Sequence, residues 1–557
     1  MIALSDHVCI LVFGATGLFG ELLVKRLAKE QRYKIVGIAR NHSRLQLLQA
    51  ETDISIAVVD RDDENAVTET LSRLNPFAVI DCAGPFQYYG NDPYRFARQV
   101  LHAGSHYIDI ADATSFVCGI TQLDSLAKQQ SLVAISGAST APAISAAAAD
   151  QLVESLRTVH SIETVIVPGN RTRRTLSVMK AILGQVGQPF QLTRNGRSET
   201  VYGWTETRKT DLALPVSKPV RDRLVALVNT PELALFPQRY NAKTVAVYAG
   251  LELKSFHRTL QFGGKLVRMG WLKSLLPLVK AARWIASGFE RYGSDVGGMQ
   301  VCVTGENNNG QLIKRTWDLV ASDGNGPNIP TLPVSVLLDK LHRKSIAAGA
   351  RTSCGEVSVG DLQPHIKAIG AETLIKQVEL QPIFKTVLGD SFYALPQPVQ
   401  DFHNTAGKSV YRGVAVSLGP TGISGRLAAF MYGFPGASDN ISVEVRTTAD
   451  SDSETWVRKF NGSIFKSRLS LSGQKNKSRI TERFGPLNMS LGLYIEDSRL
   501  YYPVTSAKLF GLIPVPGLLL PKSIAHESVD SHGRFTFDVH ILTPFGARIA
   551  HYKGWLS

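Results

Sequence analysis

Gly14-Ala15-Thr16-Gly17-Leu18-Phe19-Gly20 follows directly on an apolar run, residues 8–13, and opens a helical pattern in which Leu22, Leu23 and Leu27 share one face. Strand, glycine turn and helix in this order begin a dinucleotide-binding βαβ unit. The glycines have separate tasks. Gly14 permits the tight turn, Gly17 lets the backbone approach a pyrophosphate, and Gly20 lets the helix pack on the strand. The N–H groups of the first helical turn then meet the phosphates at the positive end of the helix dipole. Residues 14–20 are the expected cofactor cradle, spaced GxxGxxG rather than GxGxxG.

The next strand decides which dinucleotide. Residues 34–39 read as that strand, and at its tip an NAD-binding protein usually places Asp or Glu on the ribose 2′-hydroxyl. Here the tip is Arg40, followed by Asn41-His42-Ser43-Arg44, with no carboxylate. A guanidinium suits a 2′-phosphate in geometry and charge, so the sequence favours NADP over NAD. The other reading of Arg40 is a solvated loop cation. A third strand, residues 54–59, ends at Asp60, expected near the adenine end, and a fourth, 77–80, runs into Asp81-Cys82-Ala83-Gly84-Pro85-Phe86.

That turn, continued by Gln87-Tyr88-Tyr89-Gly90 and then by Ala103-Gly104-Ser105-His106-Tyr107-Ile108-Asp109, resembles the saccharopine dehydrogenase-like reductases. The resemblance covers about residues 7–350 and is most specific over the first 115. It implies that Ala83, Gly84 and Pro85 lie beside the nicotinamide half of a cofactor and that residues 107–112 border the substrate cleft. It does not imply saccharopine as substrate. Asp109 and Asp112 read equally as cleft residues or solvated loop ends, and Tyr88 and Tyr89 as packing beneath the cofactor in preference to acid–base groups. The chain departs from the family at Gly137-Ala138-Ser139-Thr140-Ala141-Pro142-Ala143-Ile144-Ser145, where the proline is present and an acidic position is not. Ser139, Thr140 and Ser145 either hydrogen-bond a substrate or cap the next helix, and capping is the simpler expectation. No YxxxK follows the Rossmann half, so the proton donor stays open, with His106 and Tyr107 as weak candidates.

Length and composition bound the rest. A chain of 557 residues exceeds one core and suggests about three domains. The five cysteines, Cys9, Cys82, Cys118, Cys302 and Cys354, are widely spaced and form no CxxC, so free thiols are expected and no metal site. His403, His526, His540 and His551 show no ligand spacing either. Ser5-Asp6-His7 precedes a strand rather than a signal peptide, and no apolar stretch reaches about 18 residues. A cytoplasmic address follows as an expectation, with a peripheral place at the inner membrane face as an alternative. The net charge of +14 is uneven: −3 over residues 1–138, +11 over 139–382 and +6 over 383–557. Scattered basic residues without a reading module do not make a nucleic-acid binder; they suit an anionic substrate, an anionic membrane surface or solubility.

Beyond the Rossmann half, residues 162–167 read as a strand followed by Arg171, Arg173 and Arg174, either an anion site or an exposed loop. Residues 265–291 combine Lys265, Arg268, Lys273, Lys280 and Arg283 with Trp271, Trp284 and several leucines, and no acid appears before Glu290. This reads as an amphipathic helix broken at Pro277, serving as a membrane-interface element, a lid or ordinary core packing. A linker is expected at 356–385. After it, short alternating segments predict an antiparallel β-rich domain, resembling a domain of unknown function that follows some reductases. Its apolar loop, residues 509–521, either fills a curved sheet around a ligand cavity or packs on the reductase half.

The predicted architecture is thus α/β: a doubly wound Rossmann sheet at 1–138, an α+β second domain at 139–355, a linker at 356–385 and a β-rich domain at 386–557. The predicted function is an NADP-dependent oxidoreductase passing a hydride between nicotinamide and a carbonyl, imine or enoyl small molecule. The alternative is a non-catalytic, cofactor-bound protein that holds a lipid, a membrane or a partner, and a homodimer is left open.

Overall fold

The computed structural model describes residues 8–212, 214, 220–404, 408–449, 453–471 and 479–557; the expectation on Ser5-Asp6-His7 lies outside them. The chain separates into two units, one of Met1–Glu154, Ile162–Val303 and Arg315–Lys376, the other of Ser155–Ser161, Thr304–Lys314 and Gln377–Ser557.

In the first unit β1 (Cys9–Phe13), α1 (Leu18–Glu30), β2 (Lys34–Ala39), α2 (His42–Thr52), β3 (Ser55–Val58), α3 (Glu64–Leu74), β4 (Ala78–Asp81), α4 (Arg95–His102), β5 (His106–Asp109) and β6 (Val133–Ser136) build a parallel sheet. Its strand order is β3-β2-β1-β4-β5-β6. The strands are apolar runs because both faces are covered: Ile10, Leu11, Val12, Ala78, Val79 and Ile80 are fully buried. The chain leaves β1 to one side through β2 and β3 and returns to the other at β4. That reversal opens a crevice between the carboxyl ends of β1 and β4, where open α/β sheets bind ligands. Register places Phe13 beside Asp81 and Asp81 beside Asp109 along this edge. A seventh strand, Gly349–Thr352, joins outside β6. The helix before it, Leu332–His342, is tied to α1 by the Arg26 guanidinium, which donates to Thr331 Oγ1 (2.6 Å) and to Ser335.

A second seven-stranded sheet follows the order Thr207–Leu212, Val220–Leu227, Thr244–Leu251, Leu156–Val167, Gly297–Asn307, Leu312–Ala321, Ala371–Leu380. Residues 356–385, expected as a linker, are structured: helix Val359–Ala368 starts with a capping box between Ser358 and Asp361, and Ala371–Leu380 is an edge strand of this sheet. The broken amphipathic segment is two helices, Lys254–Arg268 and Val279–Gly288, separated by a 3-10 turn at Leu276–Leu278 that holds Pro277.

The second unit contains a thirteen-stranded antiparallel sheet whose edges are Tyr494–Glu496 and Ile513–Pro514. Its core gathers Phe392, Phe402, Trp456, Phe460, Phe465 and Phe535, among others. Among the described residues of the whole chain, no helix is long and apolar enough to cross a membrane.

Candidate cofactor site

The turn after β1 has the shape a diphosphate needs. Gly14 holds φ +75°, and a Cβ there would lie 2.6 Å from the Cys82 carbonyl oxygen, so a side chain is excluded by both strain and space. A Cβ on Gly20 would come within 2.2 Å of the Gly14 oxygen, which is why α1 can lie directly on the turn. Gly17 keeps an ordinary backbone, with its N–H donating to Gly14 O (2.8 Å) and a Cβ position 3.1 Å from that oxygen. Ala15 N–H donates to Ile38 O (3.1 Å), pinning the turn to β2. With Thr16 it completes the turn, and Leu18, Phe19 and Gly20 form the first turn of α1, which no side chain caps. An uncapped helix start behind a side-chain-free bend fits a dinucleotide diphosphate. The nicotinamide ring of such a cofactor supplies hydride chemistry when bound.

At the tip of β2, Arg40 is 77% exposed in its side chain, and its Nη1 lies 3.9 Å from Asp60 Oδ2. Asn41 caps α2 by accepting from Arg44 N–H (2.9 Å), which fixes the loop from which Arg40 projects.

The edge formed by β4 and β5 is organised by two buried carboxyl groups. Asp81 accepts from Ala83 N–H (2.9 Å), Tyr89 OH (2.9 Å) and Tyr107 OH (3.3 Å), and burial raises its pKa. These bonds hold the Ala83-Gly84-Pro85 turn over the strand ends. Asp109 Oδ1 accepts from Ala111 N–H, Ser136 Oγ and Gly137 N–H. Burial outweighs those donors and lifts its pKa to about 7. Tyr89 packs on Phe86 and Phe116, with the Arg61 guanidinium 3.5 Å above its ring.

Neither weak catalytic candidate reaches open space at this edge. His106 begins β5, at the end of the sheet away from the carboxyl edge, and its Nδ1 accepts the Val133 N–H (3.0 Å). Tyr107 is 1% exposed and donates to Asp81, and burial pushes its hydroxyl pKa well up. The polar groups that do border the edge are Tyr88, half exposed, and Gln87, whose Nε2 donates to Asp112 Oδ1 (3.1 Å). Ser177, on the second-domain helix Leu176–Gln185, donates to Gly84 O (3.5 Å). The expected caps are absent: Ser145 Oγ donates to Pro142 O and to the buried Glu232 (2.8 Å), and neither Ser139 nor the residue before helix Ser145–Val153 makes a side-chain cap. Of the arginine cluster, Arg173 lies 3.6 Å from Glu21 in the first turn of α1, and Arg174 donates to Asn170 Oδ1 (2.6 Å). Glu232, Arg61 and Ser177 were not picked out from the sequence.

Comparison with known proteins matches two stretches of the chain. Residues 10–113 match the NAD dependent epimerase/dehydratase family, and residues 395–556 match a domain of unknown function, DUF4166. No curated protein matches the chain. Among solved structures, apo histidine-tagged saccharopine dehydrogenase (L-Glu forming) from Saccharomyces cerevisiae is similar at 14% identity and a TM-score of 0.50, over 67% of this chain and 100% of that one. GenD2 from gentamicin A biosynthesis, in complex with NAD, aligns at 13% identity and a TM-score of 0.34, over 68% and 98%. Scyllo-inositol dehydrogenase from Lactobacillus casei with NAD(H) and scyllo-inositol aligns at 10% and 0.32, over 65% and 95%. The fold and the cradle define the class of nicotinamide-dinucleotide-binding Rossmann domains, to which residues 10–113 are matched. Over 67% of its length the chain shares the fold of saccharopine dehydrogenase, and residues 395–556 match the DUF4166 domain.

Proposed function

We propose that this enzyme is an NADP-dependent oxidoreductase that passes a hydride between the nicotinamide and a carbonyl, imine or enoyl group of a small molecule. The observation that carries the cofactor choice is Arg40: a guanidinium projects from the tip of β2 where an NAD site would present a carboxylate. Residues 14–20 hold the diphosphate, Asp60 lies toward the adenine end, and Ala83, Gly84 and Pro85 border the nicotinamide. The second domain, residues 139–355, holds the substrate over that edge, with Ser177 on its side and Asp112, Gln87 and Tyr88 on the Rossmann side. Positioning and exclusion of water are the protein's contribution. Binding of NADPH and NADH to the purified protein tests this reading, followed by turnover on carbonyl, imine and enoyl panels. Tighter NADPH binding with turnover supports it; stabilisation by neither nucleotide overturns it.

A specific observation supports a peripheral membrane contact. Trp271 and Trp284 are 76% and 78% exposed, with Phe262, Met269 and Leu278 also exposed. No acidic residue occurs between Glu252 and Glu290, while the segment carries seven lysines and arginines: Lys254, Arg258, Lys265, Arg268, Lys273, Lys280 and Arg283. Exposed indoles among cations suit an anionic lipid interface. A non-catalytic role would keep this contact and show nucleotide stabilisation without turnover.

A further inference from the structure

The thirteen-stranded sheet and its neighbouring helices line a half-open cavity of about 340 Å³, formed entirely by residues from 402 to 556. Strands from both flanks line it. Leu487, Met489 and Leu491 come from one side and Phe537, Val539 and Ile541 from the other, so the sheet is rolled upon itself. The sequence builds this wall by alternation: residues 535, 537, 539 and 541 face the cavity, as a period of two requires. From Phe535 to Ile541 the lined stretch runs about 20 Å at strand rise, long enough to lie along an extended hydrocarbon chain.

Few charges enter it, and the protein answers each. Arg458 donates to Ser467 Oγ (2.9 Å) and lies 3.6 Å from Glu482. Glu527 is paired with His403 and accepts from Tyr502 OH (3.3 Å). Among the described residues the charged side chains of the lining are paired, whereas apolar surface is plentiful. The volume lies within the range of small-molecule sites, roughly 300–1,000 Å³.

Three segments border one end of the cavity, and each also carries exposed apolar side chains. Helix Gly422–Tyr432 gives Ala428 and Tyr432 to the lining and Ile423 and Phe430 to solvent. The turn at 543–546 gives Thr543 and Pro544 to the lining and exposes Phe545. The loop at 509–521 gives Leu519 and Pro521 and exposes Leu518. Ile423, Phe430, Leu518 and Phe545 are 85–90% exposed. Arg426, Lys508, Lys522 and Arg548 lie in or beside these segments, and no acid occurs at 422–436, 498–526 or 543–548.

We propose that this cavity binds a lipid hydrocarbon chain, and that the apolar, basic rim is its entrance from an anionic bilayer. Length and apolar lining select an extended chain, and the rim's cations select the surface. The full-length protein is titrated with a conjugated polyene fatty acid whose fluorescence rises in apolar surroundings. Saturable binding of one chain per protein is expected. Met489→Trp and Val539→Trp, which fill the cavity from opposite flanks, should each weaken it about tenfold or more at an unchanged circular dichroism spectrum. No saturable rise in the native protein, or undiminished affinity in either folded variant, overturns the site. Should both variants fail to fold, displacement of the probe from native protein by an unlabelled fatty acid decides: displacement supports the site and its absence overturns it. In the second arm, pyrene-labelled phosphatidylglycerol vesicles serve as donor. A Leu518→Ser, Phe545→Ser variant should slow transfer from vesicles while binding the free fatty acid normally. Unchanged transfer, or no transfer to native protein, overturns the bilayer entrance.

Discussion

Arg40 Nη1 lies 3.9 Å from Asp60 Oδ2, joining the tips of β2 and β3 at the outer part of the cofactor edge. Arg40 is largely exposed and Asp60 about half exposed, so their mutual attraction is small, and the guanidinium is available to an incoming 2′-phosphate. A charge-assisted pair of that kind contributes about 1.5–3 kcal/mol. Arg40→Asp should therefore weaken NADPH binding about tenfold to a hundredfold and leave NADH within about threefold. Asp60→Asn, which removes the competing carboxylate, should strengthen NADPH slightly. Fluorescence titration with both cofactors reads the difference; equal losses would refute the preference for NADP.

The glycines of the turn separate binding from folding. Gly17 has an ordinary φ, and a Cβ there comes no nearer than 3.1 Å to the Gly14 oxygen, whereas a Cβ on Gly20 would strike the same oxygen at 2.2 Å. Gly17→Val should keep the fold, losing about 1 kcal/mol of stability, but block the approach of the diphosphate and abolish nucleotide stabilisation. Gly20→Ala should lower the melting temperature without any nucleotide present, through overpacking of about 1–3 kcal/mol or more. Thermal melts with and without NADPH distinguish the two. A Gly17→Val protein that binds as well as the parent would show that the cradle is not the diphosphate site.

The Rossmann half was legible because its signals are local: the glycines, the apolar strands and the strand-end turns all lie within a few residues of the features they specify. The site beyond the cradle was less so. His106 stands within a recognisable motif, yet it begins β5, and in a parallel sheet the ligand edge is at the other end of the strand. Asp109, which ends the same strand, stands at that ligand edge instead. Glu232 and Ser177 reach the region from segments far along the chain, and no local pattern marks them. The helix at Val359–Ala368 had a readable start in Ser358-x-x-Asp361, which Pro364 and mixed polarity concealed. The strand alternation of the C-terminal domain was visible, but only tertiary closure shows that residues 487–491 and 535–541 share one cavity.

Asp109 gives the fold a pH dependence. Its carboxyl is fully buried and its pKa rises from the usual 3.8 to about 7. Between these values the folded chain holds a proton that the unfolded chain releases. The stabilisation is complete below about pH 4 and is lost as pH rises through about 7. The size is a few kcal/mol, at about 1.4 kcal/mol per pKa unit. Asp109→Asn, which keeps the shape without the titration, should flatten the stability profile between about pH 4 and 7. Urea unfolding across that range measures it; parallel profiles for parent and variant would show that Asp109 does not titrate there.

The exposed tryptophans make the membrane contact testable apart from the C-terminal cavity. Trp271 and Trp284 project from the segment that joins and includes helices Lys254–Arg268 and Val279–Gly288, whose cations lie at 254, 258, 265, 268, 280 and 283. An interfacial contact combines buried indole area with attraction to anionic headgroups, so both parts should be separable. Trp271→Ser with Trp284→Ser should reduce co-sedimentation with phosphatidylglycerol vesicles about tenfold or more and leave the melting temperature unchanged, because neither ring is buried. Lys280→Glu with Arg283→Glu should have a similar effect, and the parent's binding should weaken with added salt as exposed charges are screened. Because these residues lie outside the C-terminal cavity, binding of the free fatty acid should persist in both variants. Sedimentation unaffected by either pair would assign the exposed indoles to another contact.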